Sequence, residues 1–301
     1  MKWSALPRAG SSLKFPYAEH GRGGAVVLVH GSNSDHRIWD QHSKIIGSRH
    51  RVIALSQRYF GQDPWPDSGE QFSISTLADD LASFVRDLAL GPVMIVGWSF
   101  GGAISLTMAV RNRQLVTRML LYEPSLSTFV TEPDEARAAV EDRMGMMKAA
   151  KPLAASGDLA GAVRLFMDGV SAEDGTFDRL APEIQKMMTE NARMLPLLFA
   201  GPQPPSVAAA DLRTLDCPVT IALGELSRVG YQIPARAARS LLPLGRLEIV
   251  PGARHLWPIQ DPQGFSQLVS TISIATSLPV GPRGAGAAPM CPRSVGVKDG
   301  Q

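Results

Sequence analysis

Short unbroken apolar runs recur along the chain: Ala25–Val29 (AVVLV), 52–55 (VIAL), 93–96 (VMIV), 119–122 (MLLY) and 219–223 (VTIAL). Runs of this length without polar alternation predict strands covered on both faces, as in a parallel sheet. A later stretch differs. Leu247 and Ile249 alternate with Arg246 and Glu248, which places that strand nearer a sheet edge. Helical spacing lies between the runs. Residues 75–88 carry Leu77, Leu81, Phe84, Val85 and Leu88 on one face. Residues 101–110 begin with small side chains and continue with Leu106 and Val110. Pro262–Ile274 reads as a final helix, with Asp261 as N-cap and Pro262 in the first position. Strands alternating with helices predict an α/β fold with a doubly wound, mostly parallel sheet.

The alternation stops between 125 and 206. That stretch is strand-poor. Thr131-Glu-Pro-Asp134 resembles a helix start, and 135–150 follow with helical apolar spacing. Seven of the twelve methionines lie here: Met144, Met146, Met147, Met167, Met187, Met188 and Met194. Taken singly, a methionine is ordinary core filling; as a group, they suit an adaptable apolar cover over a pocket. The expected division is a core formed by 1–124 and 207–277, a helical insertion over 125–206, and a tail over 278–301. The tail is rich in Gly, Pro and Ala without periodicity, so it is expected to be flexible. No internal repeat is visible.

Composition narrows the function classes. Thirty Lys+Arg against 28 Asp+Glu leave a net charge of +2 in 301 residues, without the basic bias of a nucleic-acid binder. Hydrophobic residues make up 45% of the chain, enough to build a packed core. Two cysteines, Cys217 and Cys291, exclude a disulfide framework and a cysteine-rich zinc site. No apolar run reaches the length of a membrane span. The first residues, MKWSALPRAGSSLKF, lack the apolar stretch of a signal peptide. A cytoplasmic protein with a small-molecule partner is expected, bound to neither nucleic acid nor membrane. Monomer and homo-oligomer both stay open.

The sharpest chemical signal is Gly97-Trp98-Ser99-Phe100-Gly101, followed by Gly102. It stands between a predicted strand and a predicted helix, the setting in which a strained turn presents a serine hydroxyl above a sheet. Small neighbours are needed because the chain turns sharply. The following helix N-terminus favours developing negative charge. Ser99 is therefore the candidate nucleophile. Of six histidines, five lie in the first fifty residues, and only His255 follows Ser99. His255 comes after the strand around Leu247, at the sheet end where open α/β folds gather their sites, and is the candidate base. Two acids end strands: Glu123, before Pro124, and Glu225, after 219–223. Pro124 is expected to keep Glu123 extended. Either acid could orient the base. An oxyanion site needs two backbone N–H donors. Phe100 offers one beside Ser99. Ser32, in His30-Gly31-Ser32-Asn33 after Ala25–Val29, offers the other, with His30 holding the loop. His36, His42 and His50 show no metal-ligand spacing, and no metal or organic cofactor is expected.

Together these residues resemble the alpha/beta-hydrolase superfamily over about 15–277. The resemblance rests on HGS at 30–32, RYFG at 58–61, GWSFGG at 97–102, GARHLWPIQDPQGF at 252–265, and the chain order Ser99, acid, His255. It implies the alpha/beta-hydrolase fold, with a helical cap inserted after the sixth strand. Two departures stand out. Many members carry Gly-x-x-Asp after the seventh strand, whereas this chain has Gly224-Glu225-Leu226-Ser227. Some relatives place the acid after the sixth strand instead, and Glu123 occupies that place, so the resemblance favours Glu123 over Glu225. The common Asp-x-Arg-Gly loop is altered to Ser56-Gln57-Arg58-Tyr59, with Arg58 expected to tie the loop to the domain.

The nucleophile prunes the superfamily. Epoxide hydrolases and haloalkane dehalogenases carry Asp at this turn and form an alkyl ester, whereas Ser99 suits attack on a carbonyl. The expected activity is that of a serine esterase or lactonase on a small, fairly apolar substrate, working through an acyl-enzyme. The apolar expectation comes from the methionines with Phe166, Phe177 and Phe199. Trp39, Met144 and Met147 are the expected substrate-binding residues. The alternatives are a carbon–carbon bond hydrolase of diketones, which the resemblance allows with the same triad, and a ligand-binding protein without turnover. An oriented Ser–His–acid set argues against the latter. A peracid-forming side activity is a further, weaker alternative.

Overall fold

The computed structural model describes residues 2–7, 14–200 and 207–274. The expected tail at 278–301, Cys291 and the end of the insertion at 201–206 lie outside them. Eight strands form one sheet: β1 (Lys2–Pro7), β2 (Lys14–His20), β3 (Ala25–Val29), β4 (Arg51–Leu55), β5 (Val93–Trp98), β6 (Val116–Tyr122), β7 (Val219–Gly224) and β8 (Gly245–Val250). Their order is β1-β2-β4-β3-β5-β6-β7-β8. β2 runs antiparallel to both its neighbours, and every pairing from β4 to β8 is parallel.

The unbroken apolar runs occupy the middle of the sheet. Every residue of β5 and β7 is buried, and Val27, Leu28, Ile95, Val96, Leu120 and Ile221 are fully enclosed. β8 is the terminal strand, as its alternation implies, and Ile249 stays 44% exposed. The apolar-run reading did not pick out β1 and β2. β2 reads KFPYAEH, with Pro16 inside it and only Phe15 and Tyr17 as large buried side chains. β6 begins three residues before its apolar run, because Val116 pairs with Val93 while Thr117 and Arg118 sit toward the surface.

Helices pack on both faces. They are α1 (Asp40–Ile46), α2 (Ile74–Asp87), α3 (Phe100–Arg111), α4 (Pro133–Met147), α5 (Ala150–Ser156), α6 (Leu159–Ser171), α7 (Pro182–Glu190), α8 (Leu195–Phe199), α9 (Ala209–Leu212), α10 (Val229–Leu241), α11 (Trp257–Gln260) and α12 (Pro262–Ile274). α12 has the expected bounds, and the Asp261 carboxylate accepts from Gly264 N–H at 2.9 Å. Between β6 and β7 the described residues 125–200 hold helices and no strand. The cap of α4 is Glu132, whose carboxylate accepts from Glu135 N–H at 2.9 Å. The expected 135–150 helix breaks after Met147 and restarts as α5.

Two buried polar knots hold the loops above the sheet. Arg58 donates Nε and Nη2 to the two oxygens of Asp80, both at 2.6 Å, and Nη1 to Gln71 at 3.0 Å. This ties the loop after β4 to α2, the role expected of Arg58. Asn191, after α7, accepts from Gly61 N–H at 2.7 Å and donates to Asp35 at 2.8 Å. Glu190 reaches Arg37 at 2.8 Å. The helical insertion is thereby pinned to the loops after β3 and β4.

His30 is fully buried. Its Nδ1–H donates to Gly31 O at 2.8 Å, and its Nε2 accepts from Gln57 N–H at 3.1 Å. That donor–acceptor pattern suits the neutral ring, since a second proton would face another N–H. Burial lowers the His30 pKa from 6.5 to about 4, against a smaller upward pull from Gly31 O and Asp35. Burial also lowers His42 to about 4. Both histidines take up a proton more readily in the unfolded chain. Their stabilisation is therefore complete above pH 6.5 and is lost as pH falls from 6.5 toward about 4. Urea unfolding should show a loss of roughly 2 kcal/mol per histidine between neutral pH and about pH 5. His30→Gln should flatten this part of the profile, and an unchanged slope would refute the assignment.

Candidate active site

Ser99 is the single residue between the end of β5 and the start of α3. It adopts φ 54° and ψ −118°. For a residue with a Cβ this costs on the order of 1–3 kcal/mol and persists only when neighbours over-determine it. Here they do. Ser99 N–H donates to Tyr122 O at 2.9 Å, and Ser99 O accepts from Ala103 and Ser125 N–H at 3.1 and 3.0 Å. Glycines let the pieces approach. A Cβ on Gly101 would stand 2.2 Å from His30 O and 2.5 Å from Val29 O, both backbone atoms of the adjoining strand and loop.

His255 stands in the turn after β8. Trp98 Nε1–H donates to His255 O at 3.1 Å, and Tyr122 O–H donates to Arg254 O at 2.7 Å, which fixes the backbone of that turn. The imidazole bridges two partners. Its Nδ1–H donates to Glu123 Oε2 at 2.6 Å, which leaves Nε2 to accept from the Ser99 hydroxyl at 3.0 Å. A carboxylate can only accept, so this tautomer follows from Glu123 itself. Tyr231 stacks flat on the ring, with centroids 4.2 Å apart and planes 8° apart, and its hydroxyl lies 3.3 Å from Nε2. Burial and the nearby Glu123 charge push the Tyr231 pKa far up, so it remains a hydroxyl.

Glu123 is fully buried. Besides His255, its Oε1 accepts from Gly224 N–H at 2.8 Å and from the Ser227 hydroxyl. Both carboxylate oxygens are thereby satisfied, as a buried carboxylate requires. The expectation that Pro124 keeps Glu123 extended is corrected: Glu123 has φ 46°. Its N–H still donates to Ala222 O at 3.0 Å, so the chain leaves β6 while held to β7, and the left-handed residue carries it away from the strand direction. Glu225, the alternative acid, makes none of these hydrogen bonds. It is exposed, and its carboxylate accepts from Gly252 N–H at 2.8 Å.

A pocket opens in front of Ser99. Ser32 and Phe100 both line it. Phe100 is the first residue of α3, so its N–H has no acceptor within the helix. Gly31 lies so close that a Cβ there would be 3.3 Å from Ser99 Cβ. The loop holding Ser32 thus runs directly against the serine. Met147 lines the same pocket, with Met146 and Phe166. Two expected substrate-binding residues do not. Trp39 is wholly enclosed in the core, stacked on Phe265 at 5.8 Å, because the chain turns inward after β3 and buries the indole. Met144 is 58% exposed, because it falls on the outer face of α4. Five of the other methionines in the insertion are buried core residues: Met146, Met167, Met187, Met188 and Met194.

Sequence reasoning missed Ser227, Tyr231 and Arg143. Ser227 had a signal, since it stands where many relatives carry the acid. Tyr231 and Arg143 lie on helices α10 and α4 and meet the pocket only through packing.

A sequence model of the alpha/beta hydrolase family matches residues 26–268. The chain is 28% identical to Epoxide hydrolase 3 of Xenopus tropicalis over 113 residues, which is 37% of this chain and 31% of that protein. The chain therefore spans less than a third of that relative. It is 28% identical to 2-(acetamidomethylene)succinate hydrolase of Mesorhizobium japonicum over 244 residues, covering 79% of this chain and 83% of that one. The carboxylesterase CesB of Bacillus subtilis superposes with a TM-score of 0.70 at 18% identity, over 92% of this chain and 93% of that chain. At that identity the likeness concerns the fold.

The close contact of Gly101 with the chain around His30 yields a test of the turn. Gly101→Ala should destabilise the fold by roughly 1–3 kcal/mol or more, because backbone must move to admit the methyl group. Urea midpoints of the variant and wild type measure this, and an unchanged midpoint would contradict the packing described.

Proposed function

Because the chain belongs to the alpha/beta hydrolase family, we propose that it is a serine hydrolase that cleaves a carboxylic ester or lactone of a small, largely apolar substrate. The observation that carries this reading is the unbroken hydrogen-bond chain from Ser99 Oγ through His255 to buried Glu123, opening on the pocket. In the reading, Ser99 Oγ attacks the substrate carbonyl while His255 Nε2 takes its proton. Glu123 holds the ring and stabilises the imidazolium that forms. The carbonyl oxygen becomes an oxyanion and is met by the N–H groups of Phe100 and Ser32. As the tetrahedral species collapses, His255 returns the proton to the departing alcohol. The acyl group stays on Ser99, and in a lactone the alcohol remains attached to it. Water then attacks the acyl-enzyme, His255 takes the proton from the water, and the proton passes back to Ser99 as the acid leaves.

Two arguments support ester over epoxide chemistry. Opening an epoxide with a serine hydroxyl would leave an alkyl ether, which has no carbonyl for water to attack. A carboxylate nucleophile leaves an ester, which has one. The hydrolase core offers Ser99 and no carboxylate at that turn. The helical insertion acts in this reading as a cap, placing Met147, Phe166 and Val170 over the serine and keeping water from the reacting carbonyl.

Turnover of p-nitrophenyl butyrate should fall by at least roughly 10³-fold in Ser99→Ala, and equal rates in variant and wild type would sink the reading. The acid is tested by a matched pair. Glu123→Gln should lower kcat by about 10²–10⁴-fold, because the amide favours the wrong imidazole tautomer. Glu225→Gln should stay within about twofold, as its carboxylate serves only the Gly252 turn. A large loss confined to Glu225→Gln would reverse the assignment. A screen of esters, lactones and diketones on wild type and Ser99→Ala decides the bond, and hydrolysis of diketones alone would replace the ester reading.

A further inference from the structure

The pocket wall is apolar over most of its extent, and Arg143 is the one charged side chain among its described lining residues. Arg143 sits on α4 four residues after Ala139 and three before Met146, both buried, so it lies on the apolar stripe of that helix. A long apolar side chain would be the ordinary choice there. Arg193 is met by the Gly61 and Asp63 carbonyls and the Trp65 ring, and three others turned inward are matched to carboxylates: Arg37 with Asp35, Arg58 with Asp80 and Arg228 with Asp142. Arg143 is not. Its hydrogen bond is a single one, from Nη1 to Ser125 O at 2.8 Å. The neighbouring Asp142 is already taken by Arg228, at 2.6 and 3.1 Å, and by Gly230 N–H at 2.9 Å. Glu123 is taken by His255, Gly224 and Ser227. Burial lowers the Arg143 pKa, and the Tyr231 hydroxyl, which lines the same pocket, carries no charge.

A guanidinium keeps its proton under all ordinary conditions, so Arg143, half-buried in the pocket wall, stays charged with one protein acceptor. An uncompensated inward charge is costly to a fold. That cost is offset if the occupant of the pocket brings the counter-charge. One guanidinium supplies one unit of charge and a planar pair of N–H donors, which matches a carboxylate; a phosphate dianion would leave a charge unmatched. We propose that Arg143 binds a carboxylate and that the substrate of this site is a carboxylate-bearing ester or lactone, whose apolar chain spans from Arg143 to the carbonyl attacked by Ser99. This specificity rests on the serine-hydrolase reading above.

The test compares mono-p-nitrophenyl adipate with p-nitrophenyl hexanoate, with spontaneous hydrolysis subtracted. Wild type should favour the adipate ester by about tenfold or more in kcat/KM, chiefly through KM. In Arg143→Met the adipate-to-hexanoate ratio should fall by about 100-fold, the scale expected for a desolvated charge pair. Arg143→Lys should recover part of the ratio and guards against a folding defect in the first variant. A ratio unchanged in both variants, or a wild-type preference for hexanoate, would overturn the proposal while leaving the serine-hydrolase reading intact. If neither ester is turned over, that reading fails, and calorimetric titration with adipate decides Arg143 alone. Binding to wild type that is lost in Arg143→Met upholds the carboxylate site; absent binding or equal affinities overturn it.

Discussion

The buried carboxylate of Glu123 is the point on which the site hangs. It joins three pieces of chain that are far apart in sequence: the end of β6, the β7–α10 turn through Gly224 and Ser227, and the β8 turn through His255. A carboxylate brought so far from water is stable only when its lone pairs meet donors, so each of these pieces is held to a narrow position. The imidazole inherits its tautomer from that contact, and the Nε2 lone pair facing Ser99 is a consequence. Stacking by Tyr231 and the Trp98–His255 backbone contact then remove the remaining freedom of the ring.

The second constraint is steric. Both Ser99 and Glu123 adopt positive φ, the first at the end of β5 and the second at the end of neighbouring β6. The two strained residues are tied together, since Ser99 N–H reaches Tyr122 O and Ser125 N–H reaches Ser99 O. Strain of this kind survives because the sheet on one side and α3 on the other leave no lower-energy path for the chain. The inner strands β5 and β6, buried from Met119 to Tyr122 and along all of β5, are rigid enough to impose it. The same rigidity lets Gly101 lie against the backbone of the loop that carries Ser32, so the serine and two backbone donors share one small volume.

Above this frame, the helical insertion contributes shape more than chemistry. Its methionines fill its own core and one pocket wall, and it is clamped to the sheet loops by Asn191 and Glu190. Into that apolar cover it introduces one guanidinium. Arg143 contrasts there with Arg37, Arg58 and Arg228, which are matched to carboxylates, because its one hydrogen bond goes to a backbone carbonyl. That guanidinium lines the same pocket as Ser99.

Local patterns in the amino-acid sequence determined β3 to β8, the helices α2, α3 and α12, the helical stretch between β6 and β7, and the serine turn. Those features depend on residues adjacent in the chain: unbroken apolar runs, glycines flanking Ser99, and Asp261 before Pro262. The candidate base was also legible, because one histidine alone follows Ser99. The acid was not separable by pattern, since Glu123 and Glu225 both end strands. Only the tertiary structure decided that one is buried against His255 and the other exposed on a turn. Trp39 and Met144 were misjudged for a related reason. Hydrophobicity states that a side chain seeks burial but not which cavity receives it, and packing sent Trp39 into the core and left Met144 at the surface. Arg143 and Tyr231 acquire their positions the same way, from α4 and α10 converging over the serine, a meeting of segments that no window of sequence contains.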